Sequence, residues 1–166
     1  MLTKIYFPRV IIPTSTVMVN LVDFLISVVI LVGLMFWYHF SAPWTILLLP
    51  VFFIHALLIS LGAGFYVSAV NVKYRDFKYI VPFIVQFGLY VSPVGFSSNI
   101  VPAKWRLLYS MNPMVGVIDG FRWAITGDTN QMYVKGYLLS LAITLLLVVL
   151  GIWYFRKMEK SFADII

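Results

Sequence analysis

Few side chains in this sequence could perform chemistry, and they do not form a recognisable catalytic set. The six acidic residues are scattered, apart from Glu159 and Asp164 in the tail, whereas acid–base catalysis needs two groups held close together. His39 and His55 have no HExxH motif or carboxylate cluster near them, so no metal site is expected. Cysteine is absent, which excludes disulfides and thiolate nucleophiles. No GxxxxGK[ST] loop occurs, so any ATP hydrolysis is expected in a separate subunit.

Asp23 is the one acidic residue inside a long apolar run, with Asn20 on the same helical face. Burying a carboxylate in a membrane is costly, so a functional role is one hypothesis for Asp23. The alternative, which we favour, is that Asp23 pairs with a cytoplasmic Lys or Arg that snorkels to it and so anchors the bundle. Asp23→Asn separates the two: normal folding with lost transport favours function, and loss of the protein favours structure.

The composition defines the class of protein that must position these residues. Of 166 residues, 62% are hydrophobic and 11% are charged, and the mean hydropathy is +0.97. A soluble domain of this size is excluded, because so much apolar surface must face lipid or other helices. The sequence therefore predicts an all-α, polytopic membrane helix bundle. The net charge of +6 lies in short loops, so we interpret it as a topology signal and expect no nucleic-acid partner.

Four apolar runs predict membrane crossings. They cover residues 16–37, 44–70, 79–94 and 137–155. The first, at about 1.5 Å per residue, is about 33 Å long and matches the hydrocarbon thickness. The third is about 24 Å long and contains Pro82, Gly88 and Pro93, which predicts a short or broken crossing.

Two features of the second run predict its shape and packing. Pro50 is expected to kink its first third. Ser60, Gly64 and Ser68 recur at intervals of four, which predicts a face where another helix approaches closely.

Residues 97–135 are of mixed polarity, and this pattern does not predict a membrane crossing. Asn112-Pro113 breaks the best apolar stretch, and Asp119 and Arg122 lie three residues apart on one helical face. Two short helices that dip into the interface, or a re-entrant hairpin, fit this pattern better than a full span.

The positive charges predict the orientation. With four crossings both termini lie on one side, which then carries eight of the 12 Lys and Arg residues. The other side carries four, spread along the 97–135 segment. The positive-inside rule therefore predicts cytoplasmic termini and an extracytoplasmic 97–135 segment.

A set of aromatic residues could stack against sugar rings in a translocation path. They are Tyr66, Tyr79, Phe83, Phe87, Tyr90 and Trp123. The alternative is that they face lipid or the interface, as aromatic residues do in any membrane protein, and the sequence leaves both open.

Several short motifs occur together in a fixed order. They are Ile5-Tyr-Phe-Pro-Arg9, Asn71-Val-Lys-Tyr-Arg-Asp76, Ser92-Pro93, Val101-Pro-x-Lys-Trp-Arg106, Met111-Asn-Pro-Met114, Gly120-Phe-Arg-Trp123 and the closing run from Tyr154 to Asp164. Jointly they resemble the permease subunit of type-2 ABC exporters that move lipid-linked polysaccharides, such as O-antigen, capsule or teichoic acid. The resemblance covers essentially the whole chain.

The resemblance implies an architecture and partners. Such permeases usually have six crossings, and this chain is similar to the last four, so it is expected to lack the N-terminal third. The resemblance further implies a homodimer with a channel along its interface, a lipid-linked glycan as substrate, and two ATPase subunits docked on the cytoplasmic side of the cell membrane. It implies no cofactor in the permease itself.

The resemblance also assigns two functional segments. The loop that contacts the ATPase corresponds to Asn71, Lys73, Tyr74, Arg75, Asp76 and Lys78. The extracytoplasmic gate corresponds to Trp105, Arg106, Asn112, Pro113, Asp119, Arg122 and Trp123. The channel lining is expected to include Tyr66, Phe83, Phe87 and Tyr90. Closure of the ATPase on ATP would then push the loop, rotate the attached helices and open an aromatic-lined seam.

Two other hypotheses for the function compete with the exporter permease. An integral-membrane enzyme acting on lipid-linked sugars is disfavoured because no acid, base, nucleophile or metal set emerges. An inactive fragment of a permease that occupies membrane without transporting is the third.

Overall fold

A computed structural model describes residues 11–74 and 76–162, and within them the chain is all-α, as predicted. The α-helices are α1 (Ile11–Trp37), α2 (Leu49–Lys73), α3 (Phe77–Val91), α4 (Ala103–Tyr109), α5 (Pro113–Thr126) and α6 (Val134–Phe162). Short 3-10 turns occupy Trp44–Leu48, Ser98–Ile100 and Thr129–Gln131. The chain divides after Phe40 into two units.

The first unit is α1 and its C-terminal cap. The helix carries exposed apolar side chains from Met18 to Trp37, and a membrane is the environment that such a surface requires. It ends where His39 adopts a positive φ of 51° and the Phe40 N–H donates to the Met35 carbonyl at 2.9 Å. That left-handed cap satisfies a carbonyl that the helix itself leaves unpaired.

The second unit is built on α2 and α6, which run parallel to each other. Their contacts advance in the same direction along both helices: Phe52 with Tyr137, His55 with Thr144, Gly62 with Val148, and Phe65 with Phe155. Both helices therefore begin at one end of the bundle, here called the N-end, and finish at the other, here called the C-end. The chain between them must return from the C-end to the N-end, and α3 is the element that does so.

Glycines let α2 and α6 approach backbone to backbone. A Cβ on Gly151 would lie 2.4 Å from the Gly62 carbonyl oxygen, and a Cβ on Gly62 would lie 2.9 Å from the Val148 nitrogen. The predicted small-residue face is not this contact, because Ser60 is exposed and a Cβ on Gly64 would meet nothing within 4 Å. The α2 residues that contact α6 include Phe52, His55, Gly62 and Phe65, and large side chains outnumber small ones among them.

A buried polar chain joins the same two helices. The His55 Nε2 lies 2.8 Å from the Thr144 hydroxyl, which donates to the Ser140 carbonyl at 2.9 Å. His55 is 2% exposed, and Thr144 and Ser140 are fully buried. Hydrogen bonds of this kind fix helix register where lipid offers no partner.

The helix bounds differ from the predicted runs for local reasons. Pro50 lies in the first turn of α2, where its missing N–H has no helical partner, so the expected kink is not required there. The helix α3 runs through Pro82 and ends before Ser92-Pro93. The break at Asn112-Pro113 lies where the sequence predicted it, with Asn112 as N-cap and Pro113 in the first turn of α5.

In the part of the chain that the structure describes, three helical stretches are long and apolar enough to cross a membrane. They are Val17–Trp37, Trp44–Lys73 and Val134–Met158. The shorter apolar helix Phe77–Val91 is about 22 Å long at 1.5 Å per residue.

Candidate functional site

The short helix α5 is the platform of the candidate site at the N-end of the bundle. The Asn112 side chain caps it by accepting from the Met114 N–H at 3.1 Å, and Gly127 ends it with a positive φ of 71°. Two glycines bring it close to its neighbours, because a Cβ on Gly116 would lie 2.6 Å from the Ser140 side chain and one on Gly120 would lie 2.3 Å from the Phe52 ring. The helix therefore packs closely against α6 and α2.

Three side chains from α4 and α5 bind the end of α3, and we call them the clamp: Tyr109, Asn112 and Arg122. The Tyr109 hydroxyl donates to the Val91 carbonyl at 2.7 Å, the Asn112 Nδ2 donates to the Ser92 hydroxyl at 3.0 Å, and the Arg122 Nη2 donates to the Pro93 carbonyl at 2.9 Å. Carbonyls at the end of a helix lack intrahelical partners, so this turn is a natural acceptor.

Behind the clamp lies a buried carboxylate. Asp119 is 6% exposed, and its Oδ1 lies 3.6 Å from the Arg122 Nη1. That separation is an ion pair but is too long for a hydrogen bond, and among the described residues neither atom has another hydrogen-bond partner. Burial raises the pKa of Asp119 and outweighs the opposing effects of the Ser98 hydrogen bond and of the Arg122 and Arg106 charges.

The phenol of Tyr109 keeps its proton for donation to α3. Burial raises its pKa, and the negative charge of Asp119 raises it further.

The remaining predicted gate residues lie around this cluster. Arg106 binds the Asn99 side chain and stacks on the Tyr133 ring, with 5.6 Å from its guanidinium to the ring centroid. The Pro113 carbonyl accepts from the Ser140 hydroxyl at 3.0 Å. Trp123 packs edge-on against Phe52 with ring centroids 6.2 Å apart. Trp105 is exposed beside Lys104 and takes no part in the cluster.

A groove separates α3 from α5 beyond the clamp. Its volume is about 670 Å³. Its lining includes Val85 and Leu89 from α3 and Met114 and Ile118 from α5, and the clamp residue Asn112 lies at its edge.

The predicted coupling loop is shorter than the interval named from the sequence. Asn71 and Lys73 belong to the last turn of α2, Tyr74 caps that helix, and Asp76 precedes α3, in which Lys78 lies. Arg75 lies outside the described residues. Lys73 and Lys78 are exposed, and each ammonium lies over the ring of the following tyrosine, at 5.2 and 4.8 Å from the centroid. These cations therefore present a basic surface at the C-end.

The predicted channel-lining residues divide into two places. Phe83, Phe87 and Tyr90 share one face of α3 and are between 62% and 72% exposed. Tyr66 lies on α2 and pairs with Tyr154 of α6 at 5.4 Å between ring centroids. The structure does not bring Tyr66 to the α3 face.

Asp23 is exposed on α1, and its backbone carbonyl accepts from the Ser27 hydroxyl at 2.9 Å. Among residues 11–74 and 76–162 no ion pair to its carboxylate is found. Lys4 and Arg9, the cations nearest to it in the N-terminal sequence, lie outside the described residues.

The sequence did not reveal His55, Thr144 or Ser98 as parts of polar clusters. A Ser140–Thr144 spacing of four residues inside an otherwise apolar run was the available signal, because it places two hydroxyls on one helix face. Among the described residues no group of three or more His, Cys, Asp or Glu side chains could hold a metal ion.

A bundle of long apolar helices with two short helices at its N-end is the architecture of a polytopic membrane domain. Residues 2–126 match the model of the ABC-2 type transporter family, and the chain belongs to that family.

Similar proteins include the O-antigen export system permease protein RfbA of Klebsiella pneumoniae, with 27% identity over 98% of this chain. The protein of the same name from Myxococcus xanthus is 26% identical over 99% of this chain. The chain spans 62% and 64% of the lengths of these two relatives.

Proposed function

We propose that this chain is part of the permease subunit of an ATP-driven exporter that moves a lipid-linked polysaccharide of the O-antigen type across the cytoplasmic membrane. The observation that carries the proposal is the similarity over nearly the whole chain to proteins named as O-antigen export permeases. In this proposal two copies of a separate ATPase supply the energy, and a second permease copy completes the channel. Three features of the bundle support it.

The first feature is the path of the chain. Because α2 and α6 are parallel, the chain between them must come back to the N-end. We propose that α3 makes this return as the fourth crossing, although at about 22 Å it is shorter than the hydrocarbon core. A short span is accommodated by local thinning of the bilayer and by snorkelling of Lys78 at its start.

The second feature is the placement of charge. Lys73 and Lys78 lie near the C-end, where Arg156 and Lys157 also lie, and all four are exposed. At the N-end, Arg106 and Arg122 are bound to neighbouring groups, and Lys104 and Lys135 are exposed. Counted over the whole sequence, eight of the 12 Lys and Arg residues fall on the side of the C-end and the termini, so the positive-inside rule favours a cytoplasmic C-end whose basic surface is available to an ATPase.

The third feature is the aromatic face of α3. None of the 15 residues of α3 is buried, so Phe83, Phe87 and Tyr90 are free to meet a second permease copy or the glycan. Aromatic faces stack on the apolar faces of sugar rings, and they tolerate many sugars because the contact is not hydrogen-bonded. We propose this face, and not Tyr66, as the channel lining of this chain.

The test is complementation combined with partner capture. In a strain that lacks its own O-antigen permease, this chain and the full-length relative are expressed with the ATPase of that system. Restored surface O-antigen and co-purification of the ATPase are expected. Folded membrane protein that captures no ATPase would refute the exporter function. Capture without export by the short chain, together with export by the full-length relative, would identify an inactive fragment.

Topology is tested separately. Because the chain contains no cysteine, each introduced cysteine is its only labelling site. Single cysteines at Lys73 and Lys104 are labelled in intact cells with an impermeant maleimide. Labelling is expected at position 104 and not at position 73. The reverse pattern would overturn the proposed orientation.

A further inference from the structure

The helix α3 is held in the bundle mainly at its end. None of its residues is buried, and the groove of about 670 Å³ separates the part of α3 from Pro82 to Leu89 from α5. The two residues that follow the helix, Ser92 and Pro93, are buried, so packing and hydrogen bonds act together on this turn, whereas the helix itself has no buried residue. The three clamp hydrogen bonds are made to the consecutive residues Val91, Ser92 and Pro93.

The clamp is anchored to rigid structure on its other side. Asn112 caps α5, and its carbonyl lies 3.4 Å from the Ser140 hydroxyl of α6. Arg122 is part of the ion pair with the buried Asp119. The hydrogen bonds from Asn112 and Arg122 are half-buried, so water competes with them only weakly, whereas the one from Tyr109 is exposed. The bond from the Arg122 guanidinium is of the stronger, charge-assisted kind.

We propose that Tyr109, Asn112 and Arg122 are positioning residues that join the end of α3 to α4 and α5, so that α3 and these two helices move as one body during transport. The inference rests on the proposed function for its mechanical meaning. A push on the loop at residues 74–76 travels along α3, and the clamp delivers it to the short helices at the N-end. Without the clamp, the loop moves α3 and leaves α4 and α5 behind.

The first experiment measures the clamp on the chain itself, in membranes. Val94 and Met114 line the groove from its two sides, so cysteines at these positions are treated with bis-methanethiosulfonates of increasing spacer length. With the clamp intact we expect one narrow optimum of spacer length. Arg122→Met removes a charge-assisted hydrogen bond, so it should shift the equilibrium between the clamped and the released end of α3 toward release by about tenfold or more. Bridging should then occur over many spacer lengths.

Matched variants control for general damage. Arg106→Met removes an arginine from the same segment that binds Asn99 and Tyr133 and not α3, so its spacer optimum should stay narrow. If Arg122→Met fails to fold, Tyr109→Phe serves instead, because it removes a single hydroxyl at constant shape. Arg122→Lys keeps the charge and a hydrogen-bond donor, so its range of bridging spacers should lie between those of the unaltered chain and Arg122→Met. A narrow optimum in folded Arg122→Met and Tyr109→Phe would overturn the inference.

The second experiment tests movement as one body. The bridged 94/114 pair, reconstituted with the ATPase, should export as well as the unbridged pair, and Arg122→Met should hydrolyse ATP while exporting several-fold less. Loss of export on bridging would overturn the inference, because it would mean that the clamp must open. If the unbridged pair and the unaltered chain both fail to export, the proposed function fails. The spacer measurement still shows whether Tyr109, Asn112 and Arg122 hold the end of α3.

Discussion

The backbone contact between Gly62 and Gly151 predicts that adding one methyl group at Gly151 destabilises the bundle. A Cβ at Gly151 would lie 2.4 Å from the Gly62 carbonyl oxygen, whereas ordinary contact begins at 3.4 Å. The two helices must then separate locally by about 1 Å, because a backbone atom cannot rotate out of the way. Such overpacking costs about 1–3 kcal/mol in well-packed proteins.

The matched control is Gly64→Ala on α2. A Cβ there would meet nothing within 4 Å, so only the helix propensity of alanine acts, which favours it by about 1 kcal/mol. The same propensity gain applies to Gly151→Ala and cancels in the comparison. The two variants should therefore differ by about 2 kcal/mol in the free energy of unfolding, or about 30-fold in the folding equilibrium.

The assay is unfolding of the purified chain in detergent, followed by the helical circular dichroism signal. Gly151→Ala should unfold at a lower temperature or denaturant concentration than Gly64→Ala. Gly62→Ala should resemble Gly151→Ala, because its Cβ would lie 2.9 Å from the Val148 nitrogen. Equal midpoints for all three variants would refute the reasoning that this close approach holds α2 and α6 together.

Three further predictions follow from the polar groups. Charge reversal at Arg75 and Lys78 should lower ATPase binding and coupled ATP hydrolysis in co-purification and turnover assays, and unchanged export would contradict their assignment to the coupling loop. A double-mutant cycle of His55→Leu and Thr144→Val should give a coupling of about 1 kcal/mol in detergent unfolding, and strict additivity would show that their hydrogen bond does not stabilise the bundle. The folded-state pKa of Asp119 is raised, so its contribution to stability is fully present below the unfolded pKa near 4 and is lost as the pH rises through the folded value. Melting temperatures measured across this pH range should therefore fall less steeply with rising pH for Asp119→Asn than for the unaltered chain, and identical slopes would contradict this.

The sequence was informative wherever a local rule decides the outcome. Asn112-Pro113 combines an N-cap with a proline that lacks an N–H, and the helix begins there as predicted. The all-α class followed from hydropathy alone. The sequence does not show on which side of a proline a helix begins, and the structure places Pro50 in the first turn of α2, directly after the 3-10 turn, where its missing N–H needs no helical partner.

Contacts between distant residues were beyond the sequence. The Ser60, Gly64 and Ser68 spacing was real, but α6 packs on the neighbouring face through His55 and Gly62. Helical periodicity names possible faces and does not say which one a neighbour selects.

The candidate site shows the same limit. Asp119 and Arg122 were correctly expected to share a face of α5, because three residues is a helical spacing. That Arg122 also reaches the end of α3 depends on how the chain folds back across 29 positions, for which no local pattern exists.

The parallel pairing of α2 with α6 has a consequence for biogenesis. His55 is synthesised 89 positions before Thr144, and at roughly 5–20 residues per second the nascent chain waits about 4–18 s between the two. During that interval the imidazole has no partner from α6 and borders on hydrocarbon, where an unsatisfied polar group is costly. Insertion machinery that shelters this flank of α2 until the final helix emerges would therefore raise the yield of folded protein.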